Sequence, residues 1–83
     1  MPVIEQSDLA HLVRETRQRL KLSQAKFAKK LGFSFQSINR WENGRTKPLP
    51  VALKQIKNLL HSLGDAGQDL LSKYFGNEDG GSR

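Results

Sequence analysis

The chain has 83 residues, enough for one small domain, with 14 basic and 8 acidic side chains and no cysteine. Lack of cysteine excludes a disulfide framework, a thiolate zinc site and a cysteine nucleophile, so a domain of this size is expected to be held by its apolar core. Between Arg14 and Lys57 lie twelve basic residues against two acids, Glu15 and Glu42, a net of +10 inside a chain whose total is +6. Such a segment attracts polyanions, either nucleic acid or an anionic membrane surface, unless it serves only as a solvated face.

In chain order, the first helix is expected from about Asp8 to Leu20, after a tail over residues 1–7. Leu9, Leu12 with Val13, Thr16 and Leu20 recur at three-to-four residue spacing, while Arg14, Glu15, Gln18 and Arg19 fall on other faces. Ser7 or Asp8 can cap its start. The second helix begins at Ser23, an N-cap residue, and turns Phe27, Ala28 and Leu31 inward with Lys26, Lys29 and Lys30 outward. Gly32 supplies the left-handed conformation that ends it. Only Phe33 then separates Gly32 from a fresh cap at Ser34, so the third helix starts at once and crosses the second steeply, as a helix-turn-helix does.

Ile38 and Trp41 form the inward stripe of the third helix, and Phe35, Gln36, Asn39, Arg40 and Asn43 share the opposite face. Gly44 closes it. Pro48 and Pro50 punctuate a loop and start a fourth helix with Val51, Ile56, Leu59, Leu60 and Leu63 on its apolar face. After Gly64, residues 65–76 offer a short fifth helix with Leu70, Leu71, Tyr74 and Phe75 on one face, either covering the core or meeting a partner. The end, residues 77–83, lacks apolar side chains and is expected to be disordered.

The run from Leu22 to Pro48, LSQAKFAKKLGFSFQSINRWENGRTKP, resembles the DNA-binding domain of the phage repressor and Cro family, also called the XRE family. The likeness covers roughly Leu9 to Leu63, with Ser23-Gln24, Phe27-Ala28, Leu31-Gly32, Ile38 and Glu42-Asn43-Gly44 where the family pattern places them. It joins spacing, caps, glycines and apolar positions, and so carries more than a short motif would. It implies an all-α, lambda-repressor-like domain of four to five short helices over residues 8–64, with the fifth helix and tails outside it.

The same resemblance implies a set of DNA contacts. Gln24 matches a phosphate-contacting position at the start of the second helix, where free amides also favour an anion. Gln36 and Arg40 match positions facing base edges, and glutamine with adenine or arginine with guanine supplies about 1–3 kcal/mol of discrimination each. Ser34 and Ser37 lie at the start of the same helix, and Asn39 is a further candidate. Asn43, Arg45, Thr46 and Lys47 fall where the family grips the DNA backbone. Phe35 departs from the pattern, which usually has a polar residue there, and either touches a thymine methyl group or folds back on Phe33 or Trp41. Arg17 and Glu42 match a structural ion pair between the first helix and the end of the third, while Trp41, His11 and His61 read as structural or solvated residues.

Function follows as expectation: a sequence-specific regulator of transcription, in form a bare repressor without sensing or catalytic domain, binding duplex DNA as a homodimer. Two alternatives stand beside it, an antitoxin that regulates its own promoter and binds a toxin, and a helix-turn-helix used only for protein contacts. No nucleophile, base and orienting group form a recognisable arrangement, so no enzyme is expected. With His11 and His61 fifty positions apart, no metal or other cofactor is expected either. No run approaches the roughly 18 consecutive apolar residues of a membrane span and no leader precedes the first helix, which together suggest a cytoplasmic protein with no membrane contact.

Overall fold

The computed structural model describes residues 6–80, with side chains described over residues 8–76. Among the described residues five helices follow one another, α1 (Gln6–Arg19), α2 (Gln24–Leu31), α3 (Phe35–Glu42), α4 (Pro50–Ser62) and α5 (Asp65–Gly80), and there is no strand. Of the expected tails, residues 1–5 and 81–83 lie outside the described residues. α1 begins at Gln6, so Ser7 and Asp8 sit inside its first turn and not at its cap. α5 continues to Gly80, four residues past the expected end at 76.

Local signals explain the middle of the chain. Ser23 accepts a hydrogen bond from the Lys26 amide at 3.1 Å and Ser34 one from the Ser37 amide at 3.1 Å, so each of these caps satisfies a backbone donor that its helix leaves free. Between them Gly32 has a φ of 82°, and the amides of Gly32 and Phe33 donate back to the Ala28 carbonyl at 2.8 and 2.9 Å. That wrapped end lets α3 leave two residues later at a new angle. α2 and α3 thus form the helix-turn-helix, braced from behind by α1.

One core joins all five helices. Leu12, Val13, Phe27, Ile38, Ala52, Ile56 and Leu60 are fully enclosed, and Leu70, Leu71, Tyr74 and Phe75 of α5 close it. Each large apolar side chain taken from water is worth about 1.5–3 kcal/mol, so the four on α5 are a substantial part of the fold's stability. The face left open between core and partner is therefore core. The Lys57 ammonium of α4 lies over the Phe75 ring, 5.8 Å from its centroid. Of the expected stripe of α4, Ile56 and Leu60 are enclosed and Leu59 and Leu63 pack part-buried against the core, whereas Val51 is half exposed and Ala52 takes its place in the inward row Ala52, Ile56, Leu60. Pro50 sits at the first turn, and the i, i+4 row that starts two residues after it is the one that meets α1 and α5.

Among the described residues, no helix is long and apolar enough to cross a membrane. α5 packs on α4 at Gly67, where an added methyl group would overlap the Leu60 carbonyl.

Candidate nucleic-acid interface

Charge and exposure coincide on the helix-turn-helix. Lys26, Lys29 and Lys30 on α2, Gln36 and Arg40 on α3, and Arg45, Thr46 and Lys47 in the following loop are all exposed. Ile38 and Trp41 anchor the other side of α3 in the core, and the Trp41 ring meets Phe33 edge to face with centroids 5.1 Å apart. The outer face of α3 is thus fixed by what lies beneath it. Phe35 stands on that face with 51% of its surface exposed, so of its two readings the packed one is excluded: Phe33, and not Phe35, folds onto Trp41. His11 and His61 are exposed helix residues.

Beneath α3 lies a buried carboxylate. Glu42 is the last residue of the helix and its side chain is only 2% exposed. Such a group is costly to bury unless it is paired and fully hydrogen-bonded. Arg17 of α1 meets it in a two-pronged contact, Nε to Oε2 at 2.6 Å and Nη2 to Oε1 at 3.0 Å, and its Nη1 donates to the Leu22 carbonyl at 3.0 Å. The guanidinium thereby joins three segments, α1, the turn into α2, and α3. Arg14, one helical turn earlier, donates from Nη2 to the Glu42 carbonyl at 3.1 Å, adding a contact that sequence alone did not suggest. The signal was present in the i, i+3 spacing of Arg14 and Arg17, which puts both on one face of α1.

Gln24, expected at a phosphate, has two partners within its own chain. Its Nε2 donates to Glu42 Oε1 at 3.0 Å and its Oε1 accepts from Asn39 Nδ2 at 3.2 Å, so the side chain lies half-buried between α1–α3 pairing and the α3 surface. Asn39 in turn accepts at Oδ1 from Asn43 Nδ2 at 3.0 Å. Of the polar residues expected on the outer face of α3, Asn39 and Asn43 are therefore linked through Gln24 to Glu42, in a chain that runs from the core to the solvent. Gln36 and Arg40 stand exposed beside it. Ser34 and Ser37 are joined to each other, with hydroxyl oxygens 3.0 Å apart, at the N-terminal end of α3.

A second ion pair holds α1 to α5. Arg19 forms a two-pronged contact with the Asp69 carboxylate, one arm at 2.9 Å, and donates to the Ala66 carbonyl at 2.8 Å. The Arg19 hydrogen bond holds the Asp69 carboxyl below its usual range, and the same contact raises the Arg19 value. Asp69 is two-thirds exposed, so this is a surface tether. Among the described residues, no group of three or more metal-ligating side chains comes together.

A short α2–turn–α3 unit with a polar and basic outer face, packed on a supporting α1, defines a helix-turn-helix DNA-binding domain. Comparison with known families agrees: residues 13–61 match the family HTH_3, described as helix-turn-helix, and the chain belongs to it. It is also 40% identical over 52 residues to the Type II methyltransferase M.SsoII of Shigella sonnei. That segment is 59% of this chain but 14% of the methyltransferase, so only a small part of the relative is represented. No solved structure matches the chain significantly.

Proposed function

We propose that the chain is a sequence-specific regulator of transcription that lays α3 in the major groove of duplex DNA. The observation that carries this reading is the outer face of α3, where Gln36, Asn39, Arg40 and Phe35 stand together above a core anchored by Ile38 and Trp41. In this arrangement Gln36, Asn39 and Arg40 read base edges, Phe35 meets a thymine methyl group, and Ser34, Ser37, Asn43, Arg45 and Lys47 hold phosphates. Two copies on one duplex would engage half-sites about 34–36 Å apart. We assign no catalytic step and no cofactor to the chain, and we place its action inside the cell, on DNA.

The antitoxin reading loses the feature that suggested it, because Leu70, Leu71, Tyr74 and Phe75 are buried in the chain's own core. A different second arrangement has an observation behind it: the likeness to a small share of a methyltransferase is consistent with this module directing an attached enzyme to DNA. Both arrangements demand the same α3 chemistry.

The test is selection of bound sequences from a random duplex pool, followed by affinity measurements over a range of salt. A two-fold symmetric enriched site is expected, with affinity falling about a thousandfold between 50 and 200 mM salt for some six phosphate contacts. Arg40→Ala should change base preference at one position, whereas Lys47→Ala should weaken all sequences about equally. No enrichment at moderate salt would overturn the sequence-specific role.

A further inference from the structure

We infer that Gln24 is a positioning residue that transmits the direction of the buried Glu42 carboxylate to Asn39, fixing which end of the Asn39 amide faces the groove. The inference rests on the base-reading role of α3 proposed above. Its starting point is that a carboxylate accepts hydrogen bonds and cannot donate them. Gln24 must therefore turn its NH2 group toward Glu42 Oε1, at 3.0 Å, which turns its Oε1 the other way. That oxygen again only accepts, so Asn39 must meet it with Nδ2, at 3.2 Å, and present Oδ1 to the Asn43 Nδ2 at 3.0 Å. Reversing any one of the three amides would set like against like, donor on donor or acceptor on acceptor, somewhere along the chain.

The base of this relay is firmly held. Arg17 occupies both oxygens of Glu42, and the carboxylate side chain is almost wholly enclosed. The far end lies on the surface that meets DNA. Each member spends part of its capacity internally: Asn39 keeps one N–H and one oxygen lone pair for a base, in a fixed order around the helix. Adenine offers an acceptor and a donor side by side in the major groove, so an amide held in one orientation matches one arrangement and mismatches its reverse. An Asn39 free to rotate by half a turn would accept either. Gln24 thus contributes to specificity through Asn39, without touching the base itself. This differs from the phosphate contact that the family resemblance implies for Gln24, and the two roles leave different traces.

The experiment compares the full chain with Gln24→Met, which keeps the side chain's length and removes both hydrogen-bonding ends, and with Asn39→Ala. Selection from a random duplex pool should show Gln24→Met and Asn39→Ala relaxing preference at the same base pair, by about tenfold, with the salt slope unchanged in Gln24→Met. Uniform weakening with a salt slope smaller by about one would overturn the inference in favour of a phosphate grip. Relaxation at different base pairs, or none in Gln24→Met, would overturn it too. A second measurement is independent of DNA: in the nuclear magnetic resonance spectrum of the free protein, the Asn39 side-chain amide resonances should shift and exchange faster with water in Gln24→Met. Unchanged Asn39 resonances would overturn the relay. If the unaltered chain enriches no sequence, the base-reading role falls, and the resonances alone decide whether the relay exists.

Discussion

Among the described residues, two two-pronged Arg–carboxylate pairs tie α1 to other helices, and they are nearly alike in geometry while opposite in setting. Toward α3, Arg17 meets a Glu42 side chain that is 2% exposed; toward α5, Arg19 meets an Asp69 side chain that is 66% exposed. The buried pair lies at the foot of the polar chain that reaches the α3 surface. The exposed pair lies at the edge of an apolar contact that already holds α5 in place through Leu70, Leu71, Tyr74 and Phe75. The same two functional groups therefore do different things. Water and salt screen the α5 pair, so losing it costs little. Losing one partner of the α3 pair strands a charge in the interior.

Substitutions sharpen that contrast, beginning with the largest effect. Arg17→Ala should cost about 3–5 kcal/mol, because Glu42 is left buried without its main partner. Thermal unfolding would show a melting temperature lower by more than about 10 °C, and a value within error of the unaltered chain would contradict the pairing. On the α5 side the comparable loss comes from an apolar group: Phe75→Ala should cost about 3–5 kcal/mol in denaturant unfolding, as expected of core. Were α5 a surface for partners, the same change would leave stability nearly untouched.

Gly67→Ala should destabilise by about 1–3 kcal/mol, since the new methyl group meets the Leu60 carbonyl and pushes α5 from α4. An unchanged unfolding midpoint would mean that the two helices separate freely there. The smallest effect belongs to the exposed pair. With the Asp69 carboxyl lowered from its usual 3.8, its contact with Arg19 contributes above that pH and is lost as pH falls through the lower folded value. Asp69→Asn should therefore melt slightly below the unaltered chain at neutral pH and converge with it in strong acid. A difference of equal size at both ends would show that the ion pair is not its source.

Much of this architecture is legible from the residues alone because its signals are local. Ser23 and Ser34 before apolar-periodic runs, Gly32 at a helix end, and Phe27, Ala28, Leu31, Ile38 and Trp41 at helical spacing each act over a few positions, and together they specify the α2–turn–α3 unit. The α3 outer face follows from the same period. What stays hidden depends on partners brought together by folding. Gln24 reads from the sequence as a polar residue at a helix start, which the resemblance sets against a phosphate, and only the direction of Glu42 and the nearness of Asn39 give it a place between them. Arg19 and Asp69, fifty positions apart, meet only once α5 has docked. The one-residue shift from Val51 to Ala52 reflects how Pro50 sets the first turn of α4 against α1, and the apolar pattern there fits either choice. α5 runs on to Gly80 through residues with no apolar pattern to announce them.

One side of this molecule, the outer face of α3, is thus proposed to meet duplex DNA while the α5 side holds the fold together. The most direct measurement titrates a duplex taken from the selected pool into isotopically labelled full chain and follows every backbone amide by nuclear magnetic resonance. The largest shifts should fall on Ser34 to Asn43 and on Arg45 and Lys47, with Leu70, Leu71, Tyr74 and Phe75 almost unmoved. Shifts centred on α5, or spread evenly over all five helices, would contradict it.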